Sequence, residues 1–263
     1  MRRFLSLLVL PLVACVDAGD DPYDHPPNEI VFGIQQSFGA DNVARVTAGY
    51  DFIGLAHASR PMAYFASGSG DGACYFERLG DRIGHAPSDP GTATFTGGSL
   101  PPAGVSIAAN APDTTFEGAG WTSTDRLHFR ASGFAMPGIP EVDFYAPPIS
   151  LGITSIVPES AITSADDVTV TWTPTGGANV VVTLDTDDGG QVRCFASASV
   201  GKAVLPHAWV RTLFDSVDRT VPITGHLRIA SHKQVTIAAE DNWLVYVVST
   251  SLHHDGVFTG SRN

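Results

Sequence analysis

In "DVTVTWTP", Val168, Val170 and Trp172 alternate with Thr169, Thr171 and Thr173. A period of two puts three apolar side chains on one face and three hydroxyls on the other. A strand that covers a core on one side uses that pattern, and a helix does not. The alternation recurs along the chain. Leu127 and Phe129 oppose His128 and Arg130, Val142 and Phe144 oppose Asp143 and Tyr145, and Val180, Val182 and Leu184 share one face. The runs are punctuated by turn formers, with 27 Gly and 18 Pro in 263 residues. Strands joined by many turns follow from that combination.

The strand-like runs form two blocks. The first holds "NVARVTAGYDF", "MAYFAS", "ACYFERLG", "GTATFTGG", "GVSIAAN", "DRLHFRASG" and "EVDFYAP". "APPISLGITSIVPES" reads as the boundary: Pro147-Pro148 ends one block and Ile149 to Val157 opens the next. The second block continues with "DVTVTWTP" and a hairpin, "NVVVTLDTDDGGQVRCFASAS". "PHAWVRTLF" follows as a short helical crossover, then "GHLRIAS", "QVTIAAE" and "NWLVYVVSTSL". The last run is apolar on both faces, which suits a central strand or a domain contact. The fold class expected is all-β, with two β-sandwich domains at residues 29–147 and 148–263, the second immunoglobulin-like. "ACYFERLGD" and "VRCFASASVGK" look alike, a hint of internal duplication.

Ahead of these blocks, Arg2 and Arg3 precede the apolar stretch Phe4 to Val13. That is the layout of an export signal, and it is shorter than the roughly 20 apolar residues a spanning helix needs. Leu12-Val13-Ala14-Cys15 resembles a bacterial lipobox. In signals of that kind the cysteine thiol takes a diacylglyceryl group and becomes the mature N-terminus. The resemblance therefore implies a signal peptide at 1–14, lipid attachment at Cys15 and a lipid bilayer as partner. Residues 15–28, rich in Asp and Pro, read as an acidic flexible tether, and Asp21, Asp24 and His25 as part of that spacer rather than a metal clip. Val16 follows the cysteine where inner-membrane lipoproteins tend to carry Asp, which points to the outer membrane.

The mature chain resembles a family of uncharacterised two-domain bacterial lipoproteins of the myxobacterial type. The resemblance rests on the lipobox, "CYFERLG", "RLHFRASG" with "IPEVDFYAPP", and "DVTVTWTP" leading to "VRC" and "VLPHAWVRTL". It implies a surface or periplasmic lipoprotein built of sandwich domains, and brings no catalytic residue with it.

With Cys15 lipidated, Cys74 and Cys194 remain. One lies in each block, and a bridge needs α-carbons within about 7 Å. Two separate sandwiches therefore favour buried free thiols over a disulfide. The metal candidates are Asp185, Asp187 and Asp188 in "DTDDGG", where calcium would want several oxygens from one loop. No bidentate acid follows at helix–loop–helix spacing, so a plain hairpin turn is the better reading and no cofactor is expected. His253, His254 and Asp255 in "LHHDG" read as exposed polar residues before a turn. "SVGK" (Ser199 to Lys202) has the spacing of a serine–lysine nucleophile, but a strand precedes it and no companion motif accompanies it. "ASGSGDGA" leads into a strand rather than a phosphate-binding helix.

A net charge of −12 argues against nucleic acid as a partner. The function expected is a non-catalytic binding or structural role at the envelope, with an envelope protein or glycan as ligand. Two alternatives are a carbohydrate-binding module using Trp121, Trp209 or Trp243, and an exported hydrolase in which Glu117, Asp125, Glu141 and Asp143 converge.

Overall fold

The computed structural model describes residues 28–38, 43–53, 74–78, 89–111, 113–123, 125–158, 160–187, 190–241 and 243–262. Cys15, the tether before residue 28, "MAYFAS" and Asp188 lie outside them. The fold is all-β, as expected, with one helix among the described residues, α1 (His207–Ser216), where the crossover was predicted.

Its centre is a hairpin of two very long strands, β15 (Ile223–Ala239) and β16 (Trp243–Ser261). Backbone pairing between them runs from Ile223↔Gly260 to Ala239↔Trp243. Beside one half stand β12 (Asn179–Thr186), β13 (Gly190–Ser197) and β3 (Cys74–Arg78). Beside the other half stand β1 (Asn28–Phe38), β2 (Ala44–Ile53) and β6 (Asp113–Glu117). The strand order is β3-β13-β12-β15-β16-β1-β2-β6, with β10 (Ala161–Thr163) pairing to the end of β16. β1 runs parallel to β16 and every other neighbouring pair on that path is antiparallel.

Two smaller sheets cover this main sheet. One has the order β14-β11-β9, from β14 (Lys202–Leu205), β11 (Val168–Trp172) and β9 (Ile153–Val157). Facing β13-β12-β15-β16, it makes the second sandwich immunoglobulin-like. The other has the order β5-β4-β7-β8, from β5 (Val105–Ile107), β4 (Ala93–Gly97), β7 (Arg126–Ala131) and β8 (Ile139–Tyr145). Each small sheet closes its own core. Val168, Val170, Trp172, Val180, Val182 and Leu184 meet in one, each on the face its alternation predicts. Phe32, Phe95, Phe129 and Trp121 meet in the other.

Both cores sit on the same face of the hairpin. Leu227 and Ile229 enter the second core, while Val235 and Ile237, of the same parity on β15, pack against the first. On β16 the parity changes: Val245 and Val247 face the first core and Phe258 the second. A bulge at His253 makes this change, because Ile229 pairs with His254 and Ala230 with Leu252. Without that extra residue Phe258, now stacked on Phe214 at 6.1 Å, would face outward.

The sequence reading differs from the structure in three places. "GHLRIAS" and "QVTIAAE" are one strand, and "LHHDG" lies inside β16 rather than before a turn. The cut at 147/148 separates the two small sheets but not the main one, since the β15–β16 hairpin serves both cores. Cys74 and Cys194 are not free thiols. β3 leaves the first block to pair with β13, Cys74 stands directly opposite Cys194, and the sulfurs are bonded with α-carbons 4.1 Å apart. The two look-alike segments are neighbours in one sheet. β1, β6, β10 and β14 have no counterpart among the strands read from the sequence.

Long-range caps secure the helix. Asp167 accepts from the His207 backbone N–H at 2.6 Å, a contact that also holds its carboxyl below the usual range. Arg262 donates to the Phe214 and Val217 carbonyls at 2.8 and 2.7 Å, closing the other end.

The disulfide closes a loop with a sequence separation of 120, and loops of that length lose roughly 4–5 kcal/mol of stability when opened. The double variant Cys74→Ser/Cys194→Ser is expected to unfold at lower denaturant by about that amount. A midpoint unchanged from wild type would contradict the cross-link.

Candidate functional site

Three places gather polar side chains. The first is the exposed face of the β7–β8 hairpin. Cross-strand register sets Arg126 opposite Tyr145 and His128 opposite Asp143, with Glu141 on the same face. His128 Nδ1 lies 2.6 Å from Asp143 Oδ1 and 4.0 Å from Glu141 Oε1. Arg126 donates to Asp143 Oδ2 at 3.1 Å and to the Tyr145 hydroxyl at 3.3 Å. Lys233 also stands over the Tyr145 ring, at 5.4 Å from its centroid. His128, Glu141 and Asp143 offer ligand atoms within 4.8 Å of one another, the one such trio among the described residues. All three are at the surface, and Arg126 already neutralises Asp143, so the group reads as a cross-strand charge ladder.

The remaining acids of the hydrolase reading do not join it. Glu117 pairs with Arg45 at 3.7 Å, across β2 and β6, and Asp125 accepts from the Thr122 backbone N–H at 2.7 Å. The metal candidates of the hairpin turn are likewise occupied. Asp185 takes a two-pronged contact from Arg228 Nη1, at 2.9 Å to each oxygen, and Asp187 accepts from the Thr224 hydroxyl. Burial pushes the Asp185 carboxyl up despite Arg228. Asp185 and Asp187 are therefore not assembled for calcium. Ser199, of "SVGK", shares a 2.7 Å hydrogen bond with Ser197.

The second place is the seam between the two cores. Ser231, Ser249 and Ser251 are buried in mid-sheet, where the two small sheets part. Ser231 donates to the Pro148 carbonyl at 2.8 Å, and His253 Nε2 lies 2.8 Å from the same hydroxyl. A hydroxyl has one proton, so His253 is the donor to Ser231. Burial lowers the His253 pKa to about 4, so the ring is neutral at pH 7. Together the two residues pin the linker, and a pocket lined by Phe38, Leu151, His253 and His254 opens beside it. Trp121 donates from its indole to Ser251 at 3.2 Å. Its loop is clamped by buried Gln36, whose Oε1 accepts from the Gly120 and Trp121 N–H groups at 2.6 and 3.0 Å.

Trp121 is thus a core anchor at 1% exposure, not a sugar platform. Trp209 and Trp243 are half-buried and pack against the second and first cores. No tryptophan that the sequence offered for carbohydrate stands free on a rim.

The third place was not foreseen. It is a groove on the outer face of the main sheet, opposite both cores, lined from β1, β12, β13, β15 and β16. His232 lies on its floor, 5% exposed, edge-on to Phe195 at 5.5 Å. Burial, with Arg193 nearby, lowers the His232 pKa to about 4. Only the pairing of β12, β15 and β16 assembles this groove, and no local motif reports such pairing.

No family model and no curated protein matches this chain. Among solved structures it is similar to a two fibronectin type-III domain segment from chicken tenascin, with 10% identity and a TM-score of 0.25, covering 82% of this chain and 91% of that one. It is also similar to the FN1-FN3 domains of chicken CNTN1, with 7% identity and a TM-score of 0.25, covering 91% of this chain and 66% of that one. A bacterial ice-binding adhesin shows 10% identity and a TM-score of 0.20, covering 90% of this chain and 65% of that one. Overlaps this loose say nothing about what the protein binds.

A histidine kept neutral by folding stabilises the protein fully above its ordinary pKa of 6.5, and that contribution is lost as pH falls toward 4. Glu29, pushed up to about 7 by burial, acts with the opposite sign over much of the same range. His253→Gln keeps a donor for Ser231 but removes the titration. Between pH 7 and pH 4.5 wild type should lose roughly 2 kcal/mol relative to this variant. Parallel stability–pH curves for the two proteins would count against a buried neutral His253.

Proposed function

We propose that this protein is an envelope-anchored module with a non-catalytic binding or structural role, held to a bilayer through lipid on Cys15. One observation carries the non-catalytic reading. The four acids that a hydrolase would have to bring together do not converge: Glu117 is held by Arg45 and Asp125 by a backbone amide, and of the two that share a face, Glu141 and Asp143, Asp143 is engaged by His128 and Arg126. The disulfide supports export, because such bonds persist in oxidising compartments. The shared main sheet supports a structural or display role, since it joins the two sandwiches by backbone ladders rather than by a loose linker. The anchor rests on the lipobox resemblance.

Fractionation tests the anchor. Wild-type protein should sediment with membranes and its first tryptic peptide should carry acyl mass on Cys15, while Cys15→Ser should move to the soluble fraction. An unmodified N-terminus on membrane-associated protein would overturn the lipid anchor. Crosslinked pull-downs compared between the two strains should enrich one envelope protein or glycan only when the anchor is present.

A further inference from the structure

The outer-face groove has an internal order. Register places Phe195, Val181, Ala230 and Leu252 in one row across four strands. On one side of this apolar row, Arg193, Thr183 and Arg228 form a second row. On the other side, His232, Thr250 and Gln35 form a third. The groove holds about 280 Å³ and crosses the strands rather than following them. Its floor strands are central in the sheet, so their backbone groups are committed to ladders and a ligand can be held only through side chains.

The donors and acceptors define what fits. Asp185 balances the Arg228 charge, and Arg193 donates to the neutral Gln191 amide at 3.1 Å, so both guanidinium groups already have a side-chain partner. Gln35 has an amide, and Thr183 and Thr250 have hydroxyls, groups that both donate and accept. His232 Nδ1 is buried with no hydrogen-bond partner. A buried lone pair left alone costs less than a buried N–H left alone, which puts the proton on Nε2 as the donor a ligand would meet. Mixed donors and acceptors flanking an apolar strip match a molecule that is apolar on its C–H face and hydroxylated at its edge.

We propose that this groove binds a neutral carbohydrate, one or two sugar rings laid across the strands, with the apolar row beneath the ring and His232, Thr250 and Thr183 holding its hydroxyls. The proposal deepens the binding role above and rests on it. It replaces the tryptophan platforms suggested by sequence with a face that has no tryptophan.

The test is calorimetric titration of the full processed protein, in detergent, with neutral oligosaccharides (cello-, malto- and chito-series) and with oligogalacturonate as the anionic comparison. At least one neutral series should bind, and oligogalacturonate should bind at least tenfold more weakly. Thr250→Val and Thr183→Val should each lower the association constant about tenfold, and His232→Phe more than that. His128→Ala, on the β7–β8 ladder, should leave it unchanged. Thr183→Val is the safeguard should His232→Phe fail to fold, because Thr183 lies on the outer face. Absence of binding by all neutral series, equal binding of the anion, or binding indifferent to Thr183→Val and Thr250→Val would overturn the site. If the sugars fail while the anchored strain still enriches one envelope protein, the groove falls and the binding role stands. If neither succeeds, both fall.

Discussion

One backbone ladder governs the rest of the molecule. β15 and β16 pair over 17 and 19 residues, about 56 Å at 3.3 Å per residue for the shorter strand. A strand that long cannot be covered by one compact layer. Two small sheets cover its two halves, and each closes a separate core on the same face. Between them lies a stretch of sheet with no apolar layer above it, and there the inward positions are serines rather than valines. Two of the three have partners in this setting: Ser231 holds the linker carbonyl and Ser251 accepts the Trp121 indole, while the Ser249 hydroxyl is buried without one. Buried hydroxyls are tolerated where partners exist, and the linker and tryptophan supply them.

The same ladder explains which parts of the fold were legible in the sequence. Val168, Val170 and Trp172, or Val180, Val182 and Leu184, report their burial through local alternation, and the structure places each as that alternation predicts. "SHK" in β15 and "HHDG" in β16 look like turns because they are polar. They are polar because they cross the seam, a tertiary fact with no local signature. β3 was legible as a strand, but its destination was not: pairing with β13 across 120 residues depends on topology. If each block folds alone, the two cysteines lie too far apart to bond.

The candidate sites show the same division. Local motifs pointed to Asp185, Asp187 and the His253–His254 pair, and in the structure most of these side chains are spent on neighbours brought from other strands. The groove at His232 arises only when five strands are laid side by side, each contributing residues that are unremarkable alone. Trp121 illustrates the converse. The sequence offers it as a sugar-binding aromatic, yet Gln36 from β1 clamps its loop and the ring is buried. A Cβ at Gly120 would come within 2.6 Å of Val46, so the glycine there serves close packing rather than mobility.

The main sheet also gives the module a direction. β1 enters at Asn28 beside Trp243, at the hairpin-turn end of the first sandwich, and runs parallel to β16 toward the seam. The far end of β16 pairs with Ile223 and β10, beside the β12–β13 turn and the helix. The anchor proposed at Cys15 would join the fold through the chain that precedes Asn28, which would make the first sandwich the membrane-proximal one. The second would project outward along the hairpin by its own length. Rotation between the two is opposed by every backbone hydrogen bond that β15 and β16 share across the seam, and by the linker contacts of Ser231 and His253. A ligand on the outer face at His232 would sit near the middle of the main sheet's length.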